Sequence, residues 1–104
     1  MFEVEVGKNY FLMEHDPVDG RSHSWFWLGT VTAVRGDVVA MSPVAWVADT
    51  GRFSAFTRGE LPRNAELEAV GAPGGMQFAL SKFKAVMEYP YPLPFAAGDA
   101  PGGA

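Results

Sequence analysis

Cysteine is absent from the 104 residues, which excludes disulfide bridges and thiolate chemistry and suits a reducing compartment or a virus particle alike. Positive charge is scarce. Eight Lys and Arg stand against 12 Asp and Glu, a formal charge of −4, so the chain offers no general attraction for phosphate backbones and no nucleic-acid partner is expected. No apolar run approaches the roughly 20 residues of a spanning helix. Residues 38–41 and 44–48 come nearest, and Ser42 and Pro43 separate them; no membrane partner is expected. The opening Met1-Phe-Glu-Val-Glu-Val-Gly7 alternates acidic and apolar residues where a signal peptide would have a basic segment and then an apolar one. Secretion by a signal peptide is not expected.

What is present is a globular composition, 48% hydrophobic and 13% aromatic, in a chain with room for one core. Phe2, Val4 and Val6 alternate with Glu3 and Glu5, the period-two pattern of a first strand. Gly7 and Lys8 make a turn into a second strand at residues 9–13. Residues 14–24, polar and broken by Pro17 and Gly20, form a projecting hairpin loop. A long strand rich in Trp, Phe, Val and Thr covers residues 25–35, and Gly36-Asp37 turns it into residues 38–41. Pro43 cannot donate to a ladder, so it marks an edge, a bulge or a break before the strand resumes at 44–47.

Asp49 and Thr50 are good helix caps, with Phe53 and Phe56 three apart, Gly59 placed to stop a helix and Pro62 to prevent its return. One short helix is predicted at about residues 50–58, and a capping Asp49 implies that Asp49→Ala costs about 1 kcal/mol. In residues 76–87 a helical stripe (Met76, Ala79, Leu80, Phe83, Val86) competes with a β context; strand is favoured. The prolines of Tyr89-Pro-Tyr-Pro-Leu-Pro-Phe95 give an extended arm, and residues 98–104 cannot pack alone. The predicted class is mainly β: a small twisted sheet or partly open barrel of about five to seven strands with one short helix. Residues 1–88 form the domain and 89–104 the Pro-rich arm and Gly/Ala tail.

Four constellations invite chemistry. His15, Asp16, Asp19 and His23 share a loop and have metal-ligand character, but their spacing matches no standard site and a solvated loop is favoured, so no metal is predicted. Asp49-Thr50-Gly51 has the letters of an aspartic protease turn. Helix capping is favoured, and Arg52 pairs with Asp49 or with a partner chain. Arg35-Gly36-Asp37 spells an integrin-binding tripeptide, yet Gly-Asp is what a tight hairpin selects. Ser22 or Ser24 with His15 or His23 and Asp19 lacks the strained elbow that exposes a nucleophilic serine. No catalytic residue and no cofactor is assigned.

The aromatics say more. Trp25 and Trp27 point to one side of their strand, Phe26 and Leu28 to the other, so both faces are apolar and each needs a cover. The helix with Phe53 and Phe56 suits the Phe26 face; for the Trp face a partner chain is as good a cover as an intrachain one.

The stretches Gly7-Lys-Asn-Tyr-Phe11, Leu28-Gly-Thr-Val-Thr-Ala-Val34, Ala45-Trp-Val-Ala-Asp-Thr-Gly-Arg-Phe53 and Glu88-Tyr-Pro-Tyr-Pro-Leu-Pro94 resemble a family of small uncharacterised proteins of phage, prophage and bacterial genomes. The resemblance covers the chain to about Pro94, with a departure at residues 77–86, where members of that family tend to have Gly and β-branched residues. It implies a phage-like origin and a compact β fold, and carries no activity.

The expected function is a non-enzymatic structural or interaction protein, a phage virion component or decoration-type protein. Its partners would be copies of itself or a viral structural protein, in the virion or the host cytoplasm. The expected contact residues are Trp25, Trp27, Arg52, Tyr89, Tyr91 and Phe95, with the arm docked on a neighbouring subunit. The alternative is a small ligand-binding or inhibitory β-barrel, such as an anti-defence factor, whose aromatics line a pocket.

Overall fold

A computed structural model describes residues 3–14 and 26–95. Within them lie β1 (Asn9–Glu14), β2 (Phe26–Arg35), β3 (Val38–Asp49), α1 (Phe53–Phe56), β4 (Glu66–Ala69), β5 (Met76–Ala79), a 3-10 turn (Leu80–Lys82) and β6 (Phe83–Glu88). The strands make one six-stranded antiparallel sheet in the order β4-β3-β2-β1-β6, with β5 also on β3. The mainly β class with one short helix stands. The sheet curls without closing: among the described residues no ladder joins β5 to β6.

The β2–β3 hairpin forms where the β-favouring run meets Gly36. Arg35 pairs with Val38 across a two-residue loop, and the single positive φ, +57° at Gly36, fits a type II′ turn. Asp37 does more than turn the chain. Its carbonyl accepts the Leu80 N–H (2.8 Å) and its carboxylate the Ser81 N–H (3.2 Å), which fastens the hairpin tip to the link between β5 and β6.

Proline 43 does not break its strand. The 12-residue β3 runs through it and changes partner there, pairing β5 through Val38–Met41 and β4 through residues 45–49. On the other side the β2 ladder slips twice, around Val31. Of the three sequence options the bulge is the one realised, at the point where a residue without an N–H costs least. Gly29 makes this approach possible: a Cβ there would lie 2.5 Å from the Pro43 carbonyl oxygen and 2.8 Å from the Val44 Cα.

Three expectations are corrected. The N-terminal strand does not form over residues 3–6; Phe2 lies outside the described residues. Both sides of β1 are already taken by β2 and β6, so this segment has no free edge beside it. It turns at Val6-Gly7, leaving Val6 exposed, and is tied by Gly7 N–H to the Val31 carbonyl (2.8 Å) and Glu5 N–H to the Tyr10 hydroxyl (2.8 Å). The helix is shorter than residues 50–58. It spans only Phe53–Phe56, and the turn after it closes at Gly59 (φ +89°), where Glu60 N–H bonds the Ala55 carbonyl and Gly59 N–H that of Phe56, the Schellman pair. Residues 76–87 are two strands rather than one, divided by the 3-10 turn that Asp37 holds. Strand β4 was not anticipated, because Glu-Leu-Glu-Ala is made of residues that favour helix.

The core is double. Phe11 (1% exposed) and Leu12 (0%) are sequence neighbours and point to opposite faces. Leu12 joins Tyr10, Val31, Val39, Met41, Val44, Phe78, Leu80 and Phe83 in one cluster. Because that cluster draws on both β5 and β6, the sheet must curve around it. Phe11 joins Leu28, Val47, Phe56 and Tyr89 in the other, where Phe56 lies 5.3 Å from the Phe11 ring. Phe56 is thus the cover predicted for the Phe26 face, while Phe53 stays at the rim.

The close approach at Gly29 gives a test. Gly29→Ala should destabilise the protein by about 1–3 kcal/mol, the usual cost of overpacking where backbone must move. A urea melt measures it, and an unchanged midpoint would show that β2 and β3 are not held this tightly.

Candidate interaction surface

The ladder registers align a row of side chains across the concave face. Val86 stands opposite Leu12, Leu12 opposite Trp27, Trp27 opposite Trp46, and Trp46 opposite Glu68. Directly opposed residues of antiparallel strands share a face, so the two indoles lie side by side toward one end of the row. Trp27 also meets Phe78 of β5 with ring centroids 5.2 Å apart. Both tryptophans are half-buried.

Two open clefts flank this pair. One, of about 270 Å³, lies between Trp27, Phe78 and Phe83, with Glu14 and Lys82 at its rim. The other, of about 310 Å³, is lined by Trp27, Trp46, Val70 and Met76, with Glu68 beside them. Trp27 and Met76 belong to both. The first cleft of this mouth lies where the curled sheet fails to close between β5 and β6, and through both clefts apolar surface beside the first cluster reaches solvent.

Of the six residues expected to contact partners, Trp27 alone is placed in this mouth. Trp25 lies outside the described residues, as do His15, Asp16, Asp19, His23, Ser22 and Ser24. Arg52 is exposed and directly precedes α1 as its cap residue, with no side-chain capping bond. Among the described residues neither Arg52 nor Asp49 forms an ion pair. The expected cap is corrected with it: Asp49 accepts the Gly51 N–H (2.8 Å) and so shapes the turn before the helix. Its loss removes one exposed hydrogen bond rather than a helix cap.

The aromatic anchors of the arm have their own chain to hold. Tyr89 is 3% exposed and its ring is 5.9 Å from Phe56 and 5.2 Å from Tyr91. Tyr91, Leu93 and Phe95 pack on the same cluster. Asn9 fastens the segment from beneath, its carbonyl accepting the Tyr89 N–H (2.8 Å) and its side-chain amide bonding the Tyr91 carbonyl (3.1 Å). The Tyr91 ring covers Gly59 so closely that a Cβ there would lie 2.5 Å away. Residues 89–95 thus complete the second core.

Trp46 and Met76 were not singled out from sequence. A signal for Trp46 existed in its position on a strand that pairs with the Phe26-Trp27 run, but the pairing register was needed to read it. Met76 comes from a strand whose neighbour could not be known in advance.

Among the described residues no group of three or more His, Cys, Asp or Glu side chains is placed to hold a metal ion. Burial, reinforced by Tyr91, raises the Tyr89 phenol above its usual 10.0, and the hydrogen bond and charge of Glu5 raise exposed Lys8. Compared with protein-family models, curated proteins and solved structures, the chain has no match.

Tyr89 provides the prediction. Its folded pKa lies above the unfolded one, so its contribution to stability is complete below about pH 10 and is lost as pH rises past it. Tyr89→Phe should keep the neutral-pH melt and soften the alkaline decline. Tyr89→Ala should cost about 3 kcal/mol or more at neutral pH, as expected for emptying a buried aromatic site. A neutral Tyr89→Ala would show that the arm does not belong to the core.

Proposed function

We propose that this chain is a non-enzymatic interaction protein, a structural component of a phage particle, that works by burying its Trp27–Trp46 mouth against another protein. The observation that carries this is the pair of adjacent, half-buried indoles toward one end of the row, flanked by two open clefts. Trp supplies large contact area with little side-chain entropy to lose, and is enriched where interfaces concentrate their energy. The apolar centre is edged by Glu14, Glu68 and Lys82, as the polar rim of an interface surrounds its core. Phage origin rests on the sequence stretches described above. The arm, whose aromatics are used internally, passes its expected contact role to the mouth.

A second reading has one observation in its favour. The larger cleft, at about 310 Å³, reaches the lower end of the range for small-molecule sites, roughly 300–1,000 Å³. An apolar ligand stacked between Trp27 and Met76 would then be the natural occupant.

Mass spectrometry of particles purified from the source should find the chain at stoichiometric levels. Trp27→Ala and the rim variant Glu68→Arg should lower its incorporation while Phe53→Ser, at an exposed site elsewhere, leaves it unchanged. Absence from particles would end the virion assignment. A thermal shift with apolar compounds, abolished by Trp27→Ala, would favour the ligand reading instead.

A further inference from the structure

Strand β4 borders the second cleft of the mouth, which Glu68 and Ala69 help to line, and its backbone has an open side. Among the described residues β4 pairs with β3 alone. One bond fixes the phase of that ladder: Val70 N–H donates to the Val44 carbonyl (2.9 Å). Backbone polar groups alternate sides along a strand, so Glu66, Glu68 and Val70 face β3, while Leu67 and Ala69 direct N–H and C=O outward.

This outward window is bounded at both ends. Before it, the Ala65 N–H already donates to the Pro62 carbonyl (3.0 Å). After it, the chain leaves the edge through Gly71-Ala-Pro-Gly-Gly75, where Pro73 has no N–H to offer, and rejoins β3 as β5.

The side chains around the window alternate in character. Glu66 and Glu68 are exposed, and among the described residues neither joins an ion pair. Glu68 stands opposite Trp46 on the mouth face, and Glu66 stands opposite Asp49, so the ladder sets like charges side by side. Leu67 is half-buried on the other face, against the second core.

We infer that the partner enters beside the mouth as a strand added antiparallel to β4: an extended segment of another protein with basic residues opposite Glu66 and Glu68 and apolar residues opposite Leu67 and Ala69. Main-chain bonds to Leu67 and Ala69 supply affinity, and the alternating side chains supply choice. In that register Glu68 sits in a non-hydrogen-bonded pair, where opposed side chains come closest, so its carboxylate meets a Lys or Arg directly. The cation extends the Leu12–Trp27–Trp46–Glu68 row by one strand. A second copy does not fit: the self-pairing that uses both outward residues is centred on Glu68 and sets it against itself. On β5, Leu80 N–H bonds Asp37, which leaves Gln77 and Ala79 outward, but Met-Gln-Phe-Ala carries no charge by which to choose a partner. The inference rests on the reading that the mouth binds another protein and adds the form which that partner takes.

The probes are three capped peptides: Thr-Val-Lys-Val-Lys-Thr, the same sequence with Glu in place of Lys, and the Lys peptide N-methylated at both valines. Titrated into the full chain, the Lys peptide should protect the amides of Leu67 and Ala69 from hydrogen exchange, while those of Glu68 and Val70 are protected throughout. The Glu peptide and the N-methylated peptide should each bind about tenfold more weakly or worse, one by facing like charges and the other by losing its donors. Glu68→Lys should reverse the preference between the Lys and Glu peptides. Ala69→Pro deletes an outward N–H and leaves the β3 ladder in place, so it should weaken the Lys peptide about tenfold with an unchanged circular dichroism spectrum. Equal binding of the Lys and Glu peptides, indifference to N-methylation, or protection away from β4 overturns the inference. Incorporation into particles that needs Trp27 but ignores both Glu68→Lys and Ala69→Pro keeps the mouth and removes the added strand. Lys-peptide binding at β4 with incorporation indifferent to Trp27→Ala removes the mouth and keeps the strand.

Discussion

Phe11 and Leu12, adjacent and both buried on opposite faces, set the constraint that the rest of the chain answers. An antiparallel sheet commonly leaves one face to water. Here β1 and β2 cannot, and each face recruits its own cover. On one side the sheet bends so that β5, the 3-10 turn and β6 bring Phe78, Leu80 and Phe83 over Leu12. On the other, a single turn of helix and a Pro-rich segment lay Phe56, Tyr89 and Tyr91 over Phe11. Elements too short or too irregular to be stable alone are held by this double demand.

The covers also explain where apolar surface is left. The second cluster is roofed by α1 and residues 89–95. The first is enclosed by curvature, and curvature stops short at the seam beside Trp27. The proposed partner surface is the unfinished part of a core, which is why its residues are half-buried and why Trp27 serves both Phe78 and the cleft.

Much of the sheet was legible because its signals are local. The β-branched and aromatic run of β2, the Gly36 turn and the continuation into β3 lie together in the sequence, and the Phe26 and Trp27 faces follow from alternation alone. Gly59 and Pro62 marked the end of the helix for a backbone reason. What failed depended on neighbours distant in the chain. Residues 2–6 alternate like a strand, yet β1 has no side left to receive them. Glu66 to Ala69 would suit a helix, but β3 offers an edge there. The prolines of the arm dictate its extended shape and say nothing of its address, so Tyr89, Tyr91 and Phe95 read equally well as anchors for a stranger. Trp46 needed the register.

The pairing of β1 with β6 brings the ends of the described chain together: the Asn9 side chain bonds a carbonyl 82 residues away. In kinetic terms, β1 must wait for almost the whole sequence before its second side is filled, while the β2–β3 hairpin can form early and locally. During synthesis β2 becomes available to β1 well before β6 does. The other edge of β1 stays open until residues 83–89 arrive, the interval in which this chain is most exposed to pairing with the wrong strand.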